Sequence, residues 1–575
     1  MYGAEAISAF FGCEFLGLGG VPILKRFSSM LLILLFCVSV TACNSTEQGS
    51  LFKYDIEADP LNLDPQSAED YPSLLVIQNI FEGLLTVNPD GTLGEGVATD
   101  WSRSDNGLQY TFSLRKDAKW FDGEPVTAND FVFAFRRLFH PETQAPKASD
   151  FFCIKNAQEA YNGKKSTKEI GVIAQSDYQL IFELSYPNIM FLQLLTTAPA
   201  MPCNEKFFNN TRGKYGLESK IKTDKDTSVY LTASNGPFYL QSWSHDSYLK
   251  LRRNDYYKGK AKAAAFGVNF TVFDPSENDN ESNQPVTFDQ NKAERFLNDK
   301  TDAVIVNGTN FSQLSGKGYQ SDSYENTTWG ILFNQNSSFF SNANIRKAFF
   351  LLADDSIYSA LLPQDSIAAK AIVPHNITLL NQNYREYAGD SIMPKYDAAQ
   401  AKKYFQKGMA ELNLDLAENV TVLVPENSIQ QEIFGYISQV WQRELNFYIK
   451  VEPISISDME KKLDTRQFDC AIVSLSGAYN SPDSILTGFV TGRSNNYAGY
   501  SNNNYDTYLS NGLKSFDMAQ SADCFKKAEQ LLINDGVFMP LYYQRDYFMF
   551  NSKVSGLIYY PQSRLISFAY AKKKD

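Results

Sequence analysis

Histidine is scarce in this chain of 575 residues, where it occurs only at His140, His245 and His375. The three positions are far apart in sequence, so we expect neither a zinc site nor a histidine-based catalytic triad. The sequence also lacks the G-x-S-x-G nucleophile elbow, the phosphate-binding P-loop and the dinucleotide-binding G-x-G-x-x-G motif. We therefore expect no enzymatic activity, no cofactor and no metal.

Positive charge is also in deficit, because 53 lysines and arginines stand against 65 aspartates and glutamates and leave a net charge of -12. No run of lysine and arginine interrupts this balance. A surface that binds nucleic acid needs a basic patch, so a nucleic-acid partner is not expected. An acidic protein instead mildly favours cationic ligands through electrostatic steering.

The seven cysteines form no C-x-x-C pair and show no metal-binding spacing. Three lie in the amino-terminal region, and four are scattered through the rest of the chain: Cys153, Cys203, Cys470 and Cys524. Outside the cytoplasm, a disulfide between Cys153 and Cys203 is one alternative and two free thiols are the other. The sequence alone does not decide between them.

The amino-terminal region has the features of an export signal. Its apolar run, Met30–Val40, has the length of a signal-peptide core and is too short for a comfortable membrane span. Val40-Thr41-Ala42-Cys43 then resembles a bacterial lipobox, in which small residues precede a cysteine that receives lipid. We predict a signal peptide over residues 1–42, a lipid anchor to the membrane at Cys43 and a polar tether over residues 43–50.

The start of the chain does not fit this signal. The positive pair Lys25 and Arg26 forms a normal amino-terminal region for a signal peptide, but residues 1–20 do not. We therefore expect the true start of the protein near Val21 or Leu24.

The stretch from Phe81 to Leu138 predicts mixed α/β structure. Polar and apolar residues alternate over Gln109–Leu114, which is typical of a half-buried strand. Thr127 stands three residues before Asp130, an arrangement that favours a helix start near Ala128. Asn88-Pro89-Asp90-Gly91 is typical of a turn.

The carboxyl-terminal half predicts a wound arrangement of strands and helices. Strands are expected at Val420–Val424, Phe447–Val451 and Asp469–Val473, with a helix through Ile433–Leu445 and a short helix after the second strand. Parallel sheets of this kind bind ligands beyond the carboxyl ends of their strands. The segment after Asp469–Val473 lies at such an end.

Several stretches along the chain share their residues with one family. They read FEGLL, GVATDW and YTFSLRKDAKWFDGEPVTANDFVFAFRR, then SNGPFYLQSW, LRRNDYY and NANIRKAFFLLADD, and finally KKAEQLL and MPLYY. In order from Leu51 to Tyr543, they resemble the extracellular solute-binding proteins of peptide ABC transporters, the oligopeptide-binding (OppA-like) family. The resemblance implies an α/β, two-lobed periplasmic-binding-protein fold of class II type, with three domains, mixed sheets and a ligand cleft between the lobes.

The same resemblance implies domain boundaries. Domain I comprises residues 51–79, 227–323 and 541–575, domain II comprises residues 80–226, and domain III comprises residues 324–540. Ile56–Pro65 is expected to be the first strand of domain I. The chain is expected to cross between the lobes near Asp322–Thr327 and again near Phe538–Tyr543, where two backbone segments would form a hinge.

The resemblance also implies a ligand site. In relatives an aspartate in a G-W-x-x-D-Y stretch binds the amino terminus of a peptide that lies extended like an added strand. That stretch falls here on six residues: Ser474, Leu475, Ser476, Gly477, Ala478 and Tyr479. Positions that contact ligand in relatives fall on Glu69 and Tyr71, with Asp70 between them, and Met459 takes the place of a pocket tryptophan.

Ala478 stands where relatives have the aspartate. Removing one partner of a buried, hydrogen-bonded ion pair costs about 2–5 kcal/mol of binding, so this difference matters. Either another carboxylate takes the ammonium group, with Glu69, Asp70 and Asp483 as candidates, or the ligand is not a peptide with a free amino terminus. Met459 and Leu475 are expected to line the pocket.

These features predict a monomeric, lipid-anchored bacterial protein on the outer side of the cell membrane. It would capture an oligopeptide or a similar small solute and present it to the permease subunits of an ABC importer. Two alternatives stay open at this point. The protein could bind a non-peptide solute, or it could be a surface sensor or adhesin that has kept the fold.

Overall fold

The computed structural model describes residues 49–88, 92–211, 220–222, 228–230, 232–261, 264–274, 288–362, 366–416, 420–426 and 428–574. Gly49–Asp575 is one compact unit. The predicted signal peptide, Cys43 and residues 89–91 of the predicted turn lie outside the described residues.

The amino-terminal strand belongs to a four-stranded sheet whose strands are, in order, Leu51–Ile56, Gly267–Val272, Tyr248–Arg253 and Phe238–Ser244. The first pair is parallel and the other two pairs are antiparallel. The prediction of a first strand at Ile56–Pro65 is wrong, since the strand ends at Ile56. Pro60 and Pro65 lack the N–H that a ladder needs, and the carboxylate of Asp64 instead accepts a hydrogen bond from the backbone N–H of Gln66.

A second sheet is entirely antiparallel and contains, in order, Ala98–Arg103, Gln109–Leu114, Gln179–Glu183 and Val172–Ser176. The predicted alternation over Gln109–Leu114 is confirmed, with Tyr110, Phe112 and Leu114 buried. The helix predicted near Ala128 spans Ala128–Leu138, and its capping box joins Thr127 and Asp130. Phe135 of this helix packs on Phe182 of the sheet, with ring centroids 5.2 Å apart.

The third sheet is the largest and holds the two long strands, Gln320–Phe333 and Phe538–Phe550. Its order is Ala303–Asn307, Phe538–Phe550, Gln320–Phe333, Cys470–Leu475, Thr421–Pro425 and Lys450–Ile454, and Ile367–Ala368 pairs with the second of these. The long strands are antiparallel to each other, with irregularities in register at Glu325/Thr327 and Trp329/Gly330.

The wound arrangement predicted for the carboxyl-terminal half is confirmed. Thr421–Pro425 runs parallel to both of its neighbours, and the helices Ile429–Leu445 and Ile456–Asp464 make the crossovers. The middle strand starts later than predicted, at Lys450. Phe447 instead follows the helix end at Asn446 and stacks on Phe339, with centroids 5.2 Å apart, because its side chain is buried below the helix.

The described residues form three hydrophobic cores, of which the two large ones define two lobes and the small third one, around Phe296 and Tyr547, belongs to lobe 1. Lobe 1, residues 49–325 and 546–574, contains the first two sheets and a core that includes Phe52, Phe112 and Phe568. Lobe 2, residues 326–545, contains a core that includes Phe349 and Trp441. The two long strands are the only described backbone that runs from one lobe into the other.

The long strands place the second crossing later than the sequence predicts. Leu541 and Tyr542 are buried in the core of lobe 2. The register pairs Asp322 with Phe548 and Thr327 with Gln544, so the crossing opposite Asp322–Thr327 lies at residues 544–548. The domain divisions within the unit stay a prediction.

The end of the chain closes lobe 1. The side-chain amide of Asn79 donates to the carbonyl of Ile566 at 2.8 Å, and the backbone N–H of Phe568 donates to the Asn79 side-chain oxygen at 2.8 Å. The Phe568 ring packs on Phe52 and Tyr54 of the first strand, at 5.8 and 6.1 Å between centroids.

The remaining helices of five or more residues cover the sheets. In lobe 1 they are Tyr71–Ile80, Ala157–Tyr161, Glu205–Asn210, Phe288–Leu297 and Gly308–Leu314. In lobe 2 they are Ala343–Phe350, Tyr384–Ala388, Ala398–Glu411, Pro482–Leu486, Asn503–Lys514 and Met518–Asn534. Within the described ranges, no helix has the length and apolar character to span a membrane.

The described cysteines are all free thiols. Cys153 and Cys203 are each buried, and they do not form the disulfide that was one of the two alternatives. A guanidinium N–H of Arg137 donates to the sulfur of Cys203 at 3.3 Å. Burial raises the pKa of both thiols to about 12, so they are protonated at neutral pH.

Candidate ligand-binding cavity

A cavity of about 1180 Å³ lies between the lobes and takes its walls from both. Its volume is slightly above the usual upper range for small-molecule sites, about 1,000 Å³, so it has room for a ligand larger than a single amino acid. The lining mixes apolar and amide side chains, among them Leu74, Trp101, Met190, Asn326, Asn376 and Phe516.

The structure brings two of the ten predicted binding residues, Ala478 and Tyr479, into the cavity wall. The backbone N–H of Ala478 donates to the hydroxyl of Ser484 at 2.7 Å, which fixes the turn and leaves the methyl group exposed. Gly477 fits this turn because a Cβ there would lie 2.6 Å from the same hydroxyl oxygen. The turn therefore presents a small apolar surface to the cavity.

Four further predicted residues precede or form this turn. Ser474 and Leu475 end the strand Cys470–Leu475 and pair with Trp329 and Thr328. Ser476 follows them, and Gly477 is buried. None of the four is part of the cavity lining.

Asp483, a candidate for binding an ammonium group, is already occupied by local partners. The Tyr479 hydroxyl donates to one carboxylate oxygen at 2.6 Å, and the Ser481 hydroxyl donates to the other. Burial raises the pKa of Asp483, and burial next to this carboxylate raises the pKa of Tyr479. Asp483 therefore orients the ring of Tyr479 rather than facing the cavity.

Three further predicted residues, Glu69, Asp70 and Tyr71, lie at the start of the first helix of lobe 1 and outside the cavity lining. Asp70 caps the helix Tyr71–Ile80, and its carboxylate accepts a hydrogen bond from the backbone N–H of Ser73 at 3.0 Å. The Tyr71 hydroxyl donates to the carbonyl of Arg564 at 3.1 Å, and burial raises its pKa. Glu69 is exposed.

Met459 lies in the core of lobe 2, where it is 4% exposed, and not in the cavity lining. It belongs to the helix Ile456–Asp464, whose Glu460 is close enough to Glu69 and Asp70 to be affected by their charge. Burial first, and then these carboxylates with Asp464, raise the pKa of Glu460. Carboxylates of lobe 1 and lobe 2 are thus near each other at this point.

The carboxylates of the cavity wall are all paired among the described residues. Glu82 accepts hydrogen bonds from Arg115 at 2.5 Å and from the Tyr257 hydroxyl at 2.6 Å, and it is 4% exposed. Glu95 lies 3.1 Å from the ammonium group of Lys260.

Two more lining carboxylates are paired in the same way. Asp150 lies 2.6 Å from a guanidinium nitrogen of Arg493. Glu325, at the start of the irregular register in the long strand, lies 2.8 Å from Nδ1 of His375 and 3.7 Å from Arg545. The cavity wall therefore offers no carboxylate without a counter-charge in the part of the chain that the structure describes.

The lobes touch each other beside the cavity. The ion pair between Asp150 and Arg493 joins lobe 1 to lobe 2, and the backbone N–H of Ile189 donates to the carbonyl of Leu513 at 2.8 Å. Met190 reaches from lobe 1 into the core of lobe 2 and is 3% exposed. These contacts join the two lobes beside the cavity.

Residues 92–497 of the chain match the sequence model of one family, the bacterial extracellular solute-binding proteins, family 5 Middle. The chain belongs to this family. Like the other members, it is a solute-binding protein by family, which agrees with the expectation that it is not an enzyme.

Individual members of family 5 are similar over nearly the whole chain. The oligopeptide-binding protein OppA of Bacillus subtilis is 26% identical over 558 residues, which cover 93% of this chain and 97% of that protein. The solved substrate-binding domain of an oligopeptide ABC transporter from Bacillus anthracis superposes with a TM-score of 0.76 at 26% identity, covering 91% of this chain and 99% of that one. OppA of Listeria monocytogenes, solved with bound peptide, has a TM-score of 0.75 at 26% identity, covering 92% and 100%. The predicted two-lobed fold is thereby confirmed.

The sequence did not predict one wall of the cavity, which is formed by a short hairpin. The two-residue strands Thr378–Leu379 and Gln382–Asn383 form a hairpin whose central residues, Leu380 and Asn381, have positive φ of 50° and 64°. Leu380 and Asn381 line the cavity, and the backbone N–H of Thr378 donates to the side chain of Asn480 at 2.9 Å. The strands are too short to show any alternation.

Proposed function

We propose that this protein captures oligopeptides in the cavity between its lobes and delivers them to the permease of an ABC importer. The observation that carries the proposal is a cavity of about 1180 Å³, walled by both lobes, in a chain that belongs to a solute-binding family. The similar OppA of Listeria monocytogenes was solved with bound peptide, and the similar protein of Bacillus subtilis is named for oligopeptide binding.

The chemistry of the lining supports a peptide ligand. Amide side chains can donate to and accept from peptide groups without demanding a particular ligand side chain, and Asn376, Asn381 and Gln193 line the cavity. Apolar and aromatic residues such as Leu74, Trp101 and Phe516 would cover the ligand's side chains. A site of this composition favours uncharged peptide backbone over densely charged solutes.

Binding of a peptide is expected to raise the thermal stability of the purified protein. A ligand at 100 times its dissociation constant stabilises the folded state by about 2.7 kcal/mol, which gives a clear upward shift in melting temperature. Pools of synthetic peptides of graded length would be compared with matched pools of free amino acids and sugars. A shift from non-peptide solutes alone, or product formed from any of them, would contradict the proposal.

We also propose that the protein acts as a monomer held on the outer face of the membrane by lipid at Cys43. The lipobox-like residues Val40–Cys43 support this anchor. Cys43→Ala is expected to move the protein from the membrane fraction to the soluble fraction, because one lipid-modified cysteine is then lost. Detergent-free fractionation measures this, and Cys524→Ala, at a free and partly exposed cysteine, is the control. A Cys43→Ala protein that stays in the membrane fraction would rule out the anchor.

A further inference from the structure

Every acidic residue of the cavity wall has a basic partner, but two basic residues of the wall have no acidic partner in the described part of the chain. Among the described lining residues the acids are Glu82, Glu95, Asp150 and Glu325, and each has a basic partner. One basic lining residue, Lys260, is used in those pairs. Two positive charges, those of Arg103 and Lys147, are left over.

These two cations differ in their surroundings. The guanidinium of Arg103 lies 3.9 Å above the ring of Phe516 and is near the Tyr110 hydroxyl. The backbone carbonyl of Lys147 accepts a hydrogen bond from the N–H of Asp150 at 3.2 Å, but its side chain makes no hydrogen bond, ion pair or ring contact within the part of the chain that the structure describes. Its ammonium group is therefore the one charge of the wall with no protein partner among those residues.

Lys147 sits on a fixed backbone. It caps the short 3-10 helix Ala148–Phe151, and Arg493 of lobe 2 binds both the Asp150 carboxylate, at 2.6 Å, and the Ser149 carbonyl, at 3.3 Å. Asp150 is also close enough to Tyr479 to raise its pKa after burial and Asp483 have done so. The turn that carries Lys147 is thus held beside the Ala478–Tyr479 wall.

We infer that Lys147 selects ligands that present a carboxylate to the cavity, and that the protein disfavours an ammonium group there. The inference rests on the proposed function and adds the class of peptide. A charge that leaves water needs a counter-charge, and the wall supplies a free cation but no free carboxylate. Ala478, in the same wall, supplies no negative charge. The preferred ligand is a peptide with a carboxylate and a blocked or distant amino terminus.

The carboxylate has two sources, the carboxyl terminus of the peptide and an acidic side chain. Three amino-terminally acetylated peptides of one length separate them, and the amidated peptide with an internal glutamine is the neutral member of both pairs. One pair differs only in a free or amidated carboxyl terminus and carries glutamine inside. The other pair is amidated and differs only in an internal glutamate or glutamine. Isothermal titration gives the dissociation constant of each.

The wild-type protein is expected to bind at least one carboxylate peptide at least about tenfold more tightly than its neutral match, equivalent to about 1.4 kcal/mol. Lys147→Met keeps the length of the side chain and is expected to remove this preference, while Lys147→Arg is expected to retain it. Lys164→Met, at an exposed lysine outside the cavity, is the control and is expected to bind like the wild type. Ala478→Asp is expected to weaken carboxylate peptides and to favour peptides with a free amino terminus.

Two failures are distinguishable. If all three peptides bind the wild type and Lys147→Met with equal affinity, the inference is wrong and peptide capture still stands. If a folded protein binds none of these peptides and no free-amino peptide, peptide capture itself is wrong and the inference falls with it. Tighter binding of free-amino peptides by the wild type would also overturn the role of Lys147.

Discussion

Replacing Arg385 with methionine is expected to lower the free energy of unfolding by about 3–5 kcal/mol, because it leaves a carboxylate buried without its counter-charge. Arg385 and Glu529 form an ion pair in lobe 2 in which the side chains are 3% and 0% exposed. Glu529 also accepts hydrogen bonds from the backbone N–H groups of Ile372 and Val373, each at 2.8 Å. Arg385 donates to the carbonyl of Val373 at 2.8 Å.

Denaturant titration of the wild type and three variants measures this effect. Glu529→Gln is expected to be destabilising in the same range, and Arg385→Met with Glu529→Leu is expected to recover much of the loss, since no unpaired charge remains. Lys402→Met breaks a partly exposed pair with Glu444, at 3.1 Å, and is the matched control, with a change of at most about 1 kcal/mol. A loss below that in Arg385→Met would show that the buried pair does not hold lobe 2 together.

Arg385→Met is also expected to lower the affinity for ligand in the cavity. The segment that Glu529 and Arg385 hold, residues 372–373, leads directly into the hairpin of residues 378–383 that forms one cavity wall. Loosening it would raise the conformational freedom of that wall in the unliganded protein. Affinity should therefore fall together with stability in Arg385→Met, and it should return with stability in the double variant.

Met190→Ala is expected to reduce the apparent affinity for peptide by roughly 10- to 150-fold through its effect on closure. Met190 belongs to lobe 1 but is buried in the core of lobe 2, so opening the cleft exposes its side chain to water. Burying a methionine side chain contributes about 1.5–3 kcal/mol, and each 1.4 kcal/mol is tenfold in an equilibrium constant. The closed state would lose that contribution.

Small-angle scattering separates this effect from a lost contact with the ligand, because Met190 also lines the cavity. The variant should have a larger radius of gyration than the wild type without peptide and should need more peptide to become compact. Met539→Ala removes a methionine that is 1% exposed inside lobe 2 and should lower stability without changing compaction. Weaker binding of Met190→Ala with unchanged compaction would mean that this residue does not control closure.

Local patterns explain which parts of the fold could be predicted. Gln109–Leu114 alternates in a way that any sheet would produce, and the Thr127–Asp130 capping box closes within one turn of the helix. The start of the strand at Lys450 was not predictable in this way, since Phe447 has strand-like neighbours but is drawn into the core by Phe339. Only the contact with Phe339 decides whether Phe447 belongs to the strand or to the core.

The candidate site was less predictable because its residues meet through long-range contacts. Ala478 and Tyr479 could be placed, since they follow the carboxyl end of a predicted strand. Nothing near Asp150 indicates that Arg493, 343 residues away, neutralises it. Without that pairing, Lys147 is one lysine among many, and its isolation in the cavity wall cannot be seen.

The contacts of Asn79 and of the first strand with Phe568 determine when lobe 1 can be completed during synthesis. Asn79 receives its partner Phe568 489 residues later, an interval of roughly 25–100 s on the ribosome at about 5–20 residues per second. Throughout that interval Phe52 and Tyr54 lack the ring that covers them, so the nascent lobe 1 stays incomplete. Lobe 2 is continuous in sequence and has all of its residues earlier. The lobe whose synthesis begins first is thus the last to be completed.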